Sequence, residues 1–266
     1  MMSVQPLSGP GLQSISDGCE EVRIGYLPEC AMRGSSTIVQ SAKSRRKQLP
    51  QVHTSTSIPE LIPSHATVGD LQEASKNCRA CDLWKNATQT VFGEGPNRAT
   101  IFMIGEQPGD QEDRAGHPFV GPAGRLLDQA LSDAGIERSD VYLTNVVKHF
   151  SWTPDERGKR RIHKKPHASE IDACRPWLDA ELAAIKPRVI VCLGATAAQA
   201  LLGKSFRVSK DRGKPISSPL VPQVVATVHP SSILRAQDDE SRQLQLRNFV
   251  NDLREAKRLL KSGPSR

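Results

Sequence analysis

Ten consecutive positions, Arg157-Gly158-Lys159-Arg160-Arg161-Ile162-His163-Lys164-Lys165-Pro166, carry six basic side chains, no acidic one and a single histidine. Such a run is commonly a solvated loop that contacts phosphates, and on that reading His163 is one more polar residue. The other reading is that the cluster holds one particular imidazole against a polyanion. Surrounding positive charge disfavours the imidazolium, so the ring stays neutral and nucleophilic near neutral pH, an effect that bound phosphates partly cancel.

Three further segments place chemistry at the ends of apolar runs, and a fourth is a loop rich in Gly and Pro. Gly105-Glu106-Gln107-Pro108-Gly109-Asp110 follows the first of them. In an open α/β sheet, ligands bind beyond the C-terminal ends of strands, where glycine lets the backbone approach closely and acidic groups can be aimed into the crevice. A Gly and Pro pair also marks any plain turn. Neither GxGxxG nor GxxxxGK[ST] is present, so this is no nucleotide fingerprint. His117-Pro118-Phe119-Val120-Gly121-Pro122-Ala123-Gly124 ends at a helix start, with Phe119 either a core plug or an aromatic face for a flat ligand. In Thr144-Asn145-Val146-Val147-Lys148-His149, Asn145 can both donate and accept, as a pyrimidine edge requires, or can simply form the turn. In Val228-His229-Pro230-Ser231-Ser232, His229 could donate to a ligand oxygen and the serines could follow a phosphate backbone.

The cysteines supply a further element. Cys78-Arg79-Ala80-Cys81 followed by Cys174 is a metal signal, and soft sulfur donors favour zinc or an iron–sulfur cluster. A fourth ligand is needed, with Cys192 and His149 as candidates; Cys192, between Val191 and Leu193, reads more simply as a buried thiol. Cys19 and Cys30 match no common metal-site spacing.

Short apolar runs at Ala99 to Ile104, Val141 to Val147, Val189 to Leu193 and Val224 to Val228 read as buried strands. Between them lie helical patterns at Gly124 to Ala134, Glu170 to Ile185 and Ala195 to Leu202. A last helix, about Ser241 to Leu260, places Leu244, Leu246, Val250, Leu253 and Leu260 along one stripe. The alternation implies a parallel sheet covered on both faces.

The 266 residues include 36 Lys and Arg against 29 Asp and Glu, a formal charge of +7 that suits a polyanionic partner. Hydrophobic residues are 37% of the chain, and no apolar run nears the roughly 20 residues of a membrane span. The N-terminus shows no charged region followed by an apolar stretch, so no secretory signal is read and the protein is expected in the cytoplasm. Aromatics, at 4%, do not suggest a surface tiled with stacking rings. Residues 1–66, rich in Ser, Pro, Gly and Gln, read as a disordered extension, and 67–266 as one catalytic domain.

In this order, GEQPGDQEDRAGHPFVGPAGRLL, TNVVKHF, GKRRIHKKP, ACRPWL and HPSS resemble the uracil-DNA glycosylase superfamily over about residues 70 to 260. Within it the chain is similar to the iron–sulfur family four group, and most closely to the covalently self-trapping UdgX class. Ordinary family four members carry Ala where Gln107 stands and lack the basic insertion. The resemblance implies a three-layer α/β/α sandwich with a central, mainly parallel four-stranded sheet. It implies a 4Fe–4S cluster on Cys78, Cys81 and Cys174, with His149 fourth where family four has cysteine.

The same resemblance implies uracil-containing DNA as partner and a monomer as the acting unit. Phe119 would stack on the flipped base and Asn145 would read its edge. His229 would stabilise the leaving uracil anion, and His163 would attack the anomeric carbon and stay attached, oriented by Glu106. Gly105, Gln107, Pro108, Gly109, Asp110, Arg161 and Ser231 would complete the substrate contacts. Two alternatives stand beside this reading: a turnover uracil-DNA glycosylase whose basic loop only grips phosphates, and a noncatalytic iron–sulfur or zinc DNA-binding module.

Overall fold

The computed structural model describes residues 58–217 and 223–262. Its elements run α1 (Ile58–Leu61), α2 (Val68–Ser75), β1 (Ile101–Gly105), α3 (Asp110–Ala115), α4 (Pro122–Ala134), β2 (Val141–Asn145), β3 (Trp152–Pro154), β4 (Arg161–His163) and α5 (Ala168–Ile185). They continue as β5 (Val189–Leu193), α6 (Ala195–Leu202), α7 (Val208–Asp211), β6 (Pro215–Ile216), β7 (Gln223–Thr227), α8 (Pro230–Leu234) and α9 (Asp239–Ser262).

The central sheet has the order β2-β1-β5-β7-β6. Its first four strands are parallel, and β1 lies between β2 and β5 with Ile101 opposite both Val141 and Val189. Side chains alternate between two cores, as a period of two requires. Phe102, Ile104, Tyr142, Ile190 and Cys192 face the layer of α1, α2, α5 and α6, while Ile101, Met103, Leu143, Val189 and Val191 face that of α4, α8 and α9. Strands buried on both faces read as continuous apolar runs, which is why they are legible in the sequence. The expected α/β/α sandwich is the observed fold.

Four details correct the sequence reading. The sheet has a fifth strand, β6, two residues long and antiparallel to β7. The basic run is part of an antiparallel hairpin, β3 and β4, that pairs Trp152 with His163. In α9 the buried stripe is Phe249, Val250, Leu253, Ala256 and Leu259, whereas Leu244 is 50% exposed. The folded unit also begins before residue 67, because Ile58 is buried in the core with Leu61 and Ile62 packed against it. The rest of the expected extension, with Cys19 and Cys30, lies outside the described residues. Among the described residues no helix is long and apolar enough to cross a membrane.

Candidate active site

The C-terminal ends of β1, β2, β5 and β7 open onto one pocket of about 820 Å³. Of the residues expected at a site, Glu106, Gln107, Gly109, Asp110 and Phe119 line it, as do Asn145, His163, His229 and Ser231. Gly105, Pro108 and Arg161 do not.

Gly105 acts by its missing side chain. A Cβ there would collide with Asn145 Oδ1 and fall 2.8 Å from Phe119 Cζ, so only glycine lets the amide and the ring close over the end of β1. Phe119 has φ +58°, a left-handed conformation uncommon for an aromatic residue. Two features hold it there. A Cβ on Gly124 would overlap the Phe119 carbonyl, and the Gly121 N–H is held by Glu112 Oε1 at 3.0 Å. The ring stacks near His229, with centroids 6.1 Å apart and planes 27° apart, leaving an aromatic face over the pocket.

His229 caps α8. Its Nδ1 accepts the Ser231 N–H at 3.2 Å and lies 2.8 Å from Ser231 Oγ. A nitrogen that accepts from a main-chain N–H carries no proton, so the proton of the neutral ring sits on Nε2. Burial, then the charges of Arg235 and His163, push this imidazole down to about 4. It is thus a neutral donor with one committed nitrogen and one available to a ligand oxygen.

Glu106 is held by the Thr196 hydroxyl, which donates to Oε2 from the start of α6. Its other oxygen, Oε1, stands 3.4 Å from His163 Nε2. His163 is half-exposed on β4, beside Phe150 at 6.3 Å between ring centroids. No pattern in the sequence marks Thr196.

The basic hairpin is anchored from three sides. Gln107 Nε2 donates to the carbonyls of Ser151 and Lys164, at 3.1 and 3.0 Å. The Trp152 indole donates to the Asn86 carbonyl at 2.9 Å. Arg161, expected at the substrate, instead turns inward: its guanidinium donates to Asp110 and, at 2.6 Å, to Asp113 Oδ2, and lies over the Phe150 and Trp152 rings. Its charge is spent on fixing the hairpin. Lys159, Arg160 and Lys164 are exposed on the same segment.

The thiols form a second centre. Cys78 and Cys174 are buried and Cys81 is partly so. Burial first, with the nearby Cys78 and Cys81 charges adding, pushes the Cys174 thiol up to about 12 against the opposing Lys148 charge. Cys78 Sγ accepts from the Trp177 indole and Cys174 Sγ from the Lys148 N–H, each at 3.3 Å. Donors aimed at sulfur suit metal-bound thiolates. His149 is buried, its Nε2 lies 3.0 Å from Thr90 Oγ1, and burial pushes it down to about 4, so it is neutral as a ligand must be. Cys192 is raised to about 12 by burial alone. Among the described residues no three His, Cys, Asp or Glu side chains close on one point as around a single metal ion. Cys78, Cys81 and Cys174 offer the soft sulfur donors that an iron–sulfur cluster takes, and His149 a neutral nitrogen donor.

The chain matches the Uracil DNA glycosylase superfamily over residues 92–254. It is 41% identical to the type-4 uracil-DNA glycosylase of Thermotoga maritima, over 72% of this chain and 93% of the relative. It is 37% identical to the type-4 uracil-DNA glycosylase of Pyrobaculum aerophilum, over 62% of this chain and 83% of that protein. A type-5 uracil-DNA glycosylase of the same organism is 28% identical, over 66% and 77%.

Proposed function

The chain belongs to the uracil-DNA glycosylase superfamily, and we propose that the pocket at the strand ends is where this DNA-repair hydrolase takes uracil. The observation that carries the reading is the convergence of Phe119, Asn145 and His229 on one pocket with Glu106. Uracil inside a duplex is out of reach, so the nucleotide is flipped at a cost of roughly a few kcal/mol, or taken from a single strand.

The Phe119 face stacks on the base and Asn145 matches its alternating donors and acceptors. The glycosidic bond breaks with its electron pair on uracil, and His229 Nε2–H donates to the oxygen on which that charge collects. A neutral donor suits this role, because it need not lose a proton to the anion. The sugar is left as an oxocarbenium-like cation.

Two fates follow. In the first, Glu106 takes a proton from a water that bonds the anomeric carbon, giving free abasic DNA; this reading fits the named relatives better. The placement of His163 against Glu106 in the same pocket favours a second. There the lone pair of the ring nitrogen away from the carboxylate bonds the anomeric carbon, and Glu106 takes the proton from the nitrogen facing it. The attached neutral imidazole is a poor leaving group, and the protein stays on the DNA.

Cys78, Cys81, Cys174 and His149 would hold a 4Fe–4S cluster. Its chemistry there is structural, since glycosidic hydrolysis transfers no electrons. Held on it, these residues would fasten the loop before β1 to α5 and to the end of β2.

Incubation with a uracil-containing oligonucleotide, followed by a denaturing gel and assay of free uracil, tests both levels. Uracil release is expected. Alkali-labile free DNA supports the first fate and a band shifted by one protein supports the second, whereas no uracil release overturns the function.

A further inference from the structure

The mechanism above leaves unused a buried ion pair beside it. The side chains of Lys148 and Glu181 have no exposed area, and Nζ stands 2.6 Å from Glu181 Oε2. An ammonium has three N–H donors, and here they meet Glu181 Oε2, Thr144 Oγ1 at 2.6 Å and the Asn145 carbonyl at 2.7 Å. Glu181 is equally engaged. Its Oε1 accepts from the Gly93 N–H at 3.1 Å and from the Tyr142 and Thr144 hydroxyls, each at 3.0 Å.

Stability alone gives little reason for such a pair, because apolar side chains of similar volume commonly do as well or better. Its geometry gives one. Asn145 is the last residue of β2, where the ladder ends, and its carbonyl is held by the ammonium. The main-chain N–H of Lys148 meanwhile donates to Cys174 Sγ at 3.3 Å. Cys174 and Glu181 are seven residues apart on α5, two turns on one face. One residue therefore grips the thiol-bearing helix at two points and the end of β2 at a third.

We infer that Lys148 is a positioning residue that locks Asn145 to α5, its ammonium holding the Asn145 carbonyl and its main-chain N–H the Cys174 sulfur. The inference rests on the base-reading role proposed for Asn145. Without the ammonium, that carbonyl is buried with no donor, the end of β2 relaxes, and the amide moves off the uracil edge. A misplacement of about 1 Å can cost roughly 100-fold in rate. DNA affinity, drawn mainly from phosphates, is untouched.

The test is the double variant Lys148→Met with Glu181→Leu, which leaves no unpaired buried charge, measured beside Asn145→Ala and the wild type. The readouts are single-turnover uracil release, Kd for an uncleavable uracil oligonucleotide, iron content and Tm. Release should slow at least about tenfold with Kd within about twofold, and iron should stay bound because the Lys148 N–H remains. A merely structural role would lower Tm and leave release by the folded protein unchanged. Should the double variant not fold, Thr144→Val, isosteric and uncharged, removes one acceptor of the ammonium and should slow release in the same direction. Release at the wild-type rate in the folded double variant, or in Thr144→Val where the double variant does not fold, overturns the inference. Unchanged release in Asn145→Ala removes the base-reading role and the inference with it. Slow release there beside wild-type release in the double variant removes the inference alone.

Discussion

Gln107 and Ser151 bind each other twice. The Gln107 amide donates to the Ser151 carbonyl at 3.1 Å, and the Ser151 N–H donates back to Gln107 Oε1 at 3.0 Å. The same amide nitrogen reaches the Lys164 carbonyl at 3.0 Å, one residue beyond His163. A side chain of the loop after β1 thus holds both strands of the basic hairpin.

Gln107→Ala removes these bonds; the Ser151 carbonyl keeps the Lys164 N–H at 2.9 Å, but the Ser151 N–H and the Lys164 carbonyl must find other partners, at a cost of about 1–3 kcal/mol each where they stay buried. The hairpin should loosen and His163 should leave Glu106 for part of the time. Uracil release should stay within about twofold, since Phe119, Asn145 and His229 are held by other contacts, while any adduct should form about tenfold more slowly. Equal slowing of both steps would place Gln107 at the base instead of under the hairpin.

Iron content is the measure of the thiol centre. The purified protein should be brown, with broad absorbance at about 400 nm, as expected of an iron–sulfur cluster. Cys78→Ala, Cys81→Ala or Cys174→Ala should each lose iron, and Cys192→Ala should not, because Cys192 lies mid-strand in β5 with no exposed surface. Iron that survives loss of His149 but not of Cys192 would reverse the choice of fourth ligand.

His229 sets an acid limit. Its folded value is about 4, depressed mainly by burial, against an ordinary histidine near 6.5. A depressed folded value means that the unfolded chain takes up the proton first. The stability contributed by the neutral ring is complete above about pH 6.5 and is lost as pH falls toward 4. Uracil release should therefore be level from about pH 8 to 6, with Tm declining below that range. A release rate that climbs as pH falls through about 6.5 would mean that His229 donates as a cation, against the tautomer its Ser231 contacts dictate.

The strands and the residues at their ends were legible for one physical reason: doubly buried parallel strands are continuous apolar runs, and the α/β architecture places ligands at their C-terminal ends. Glu106, Asn145 and His229 follow from that rule. The hairpin does not, since Trp152–Pro154 and Arg161–His163 are three residues each, too short for alternation to register. Arg161 misled for a related reason. Local charge marks it as a phosphate ligand, but its partners Asp110 and Asp113 lie 51 and 48 residues away in the chain. Long-range pairing of that kind leaves no trace in a window of sequence, and the same holds for Thr196 beneath Glu106.

His163 carries the most discriminating prediction. Its ring is half-exposed, stands 3.4 Å from the Glu106 carboxylate and lines the pocket with the base-reading groups. Uracil-containing DNA should give a one-to-one complex that survives heat and SDS, and thymine-containing DNA should give none. His163→Ser should form no complex and still release uracil, because Phe119, Asn145 and His229 remain and the smaller side chain admits water beside Glu106. Glu106→Gln should slow attachment, since an amide cannot accept the ring proton. Tryptic mapping that puts the deoxyribose on another residue would remove His163 as the attached group, and a wild-type protein that yields only free abasic DNA would leave the turnover reading standing and reduce the hairpin to a phosphate clamp. A His163 variant that merely lost all chemistry would not decide the matter, since a collapsed hairpin does the same; uracil release by the serine variant does.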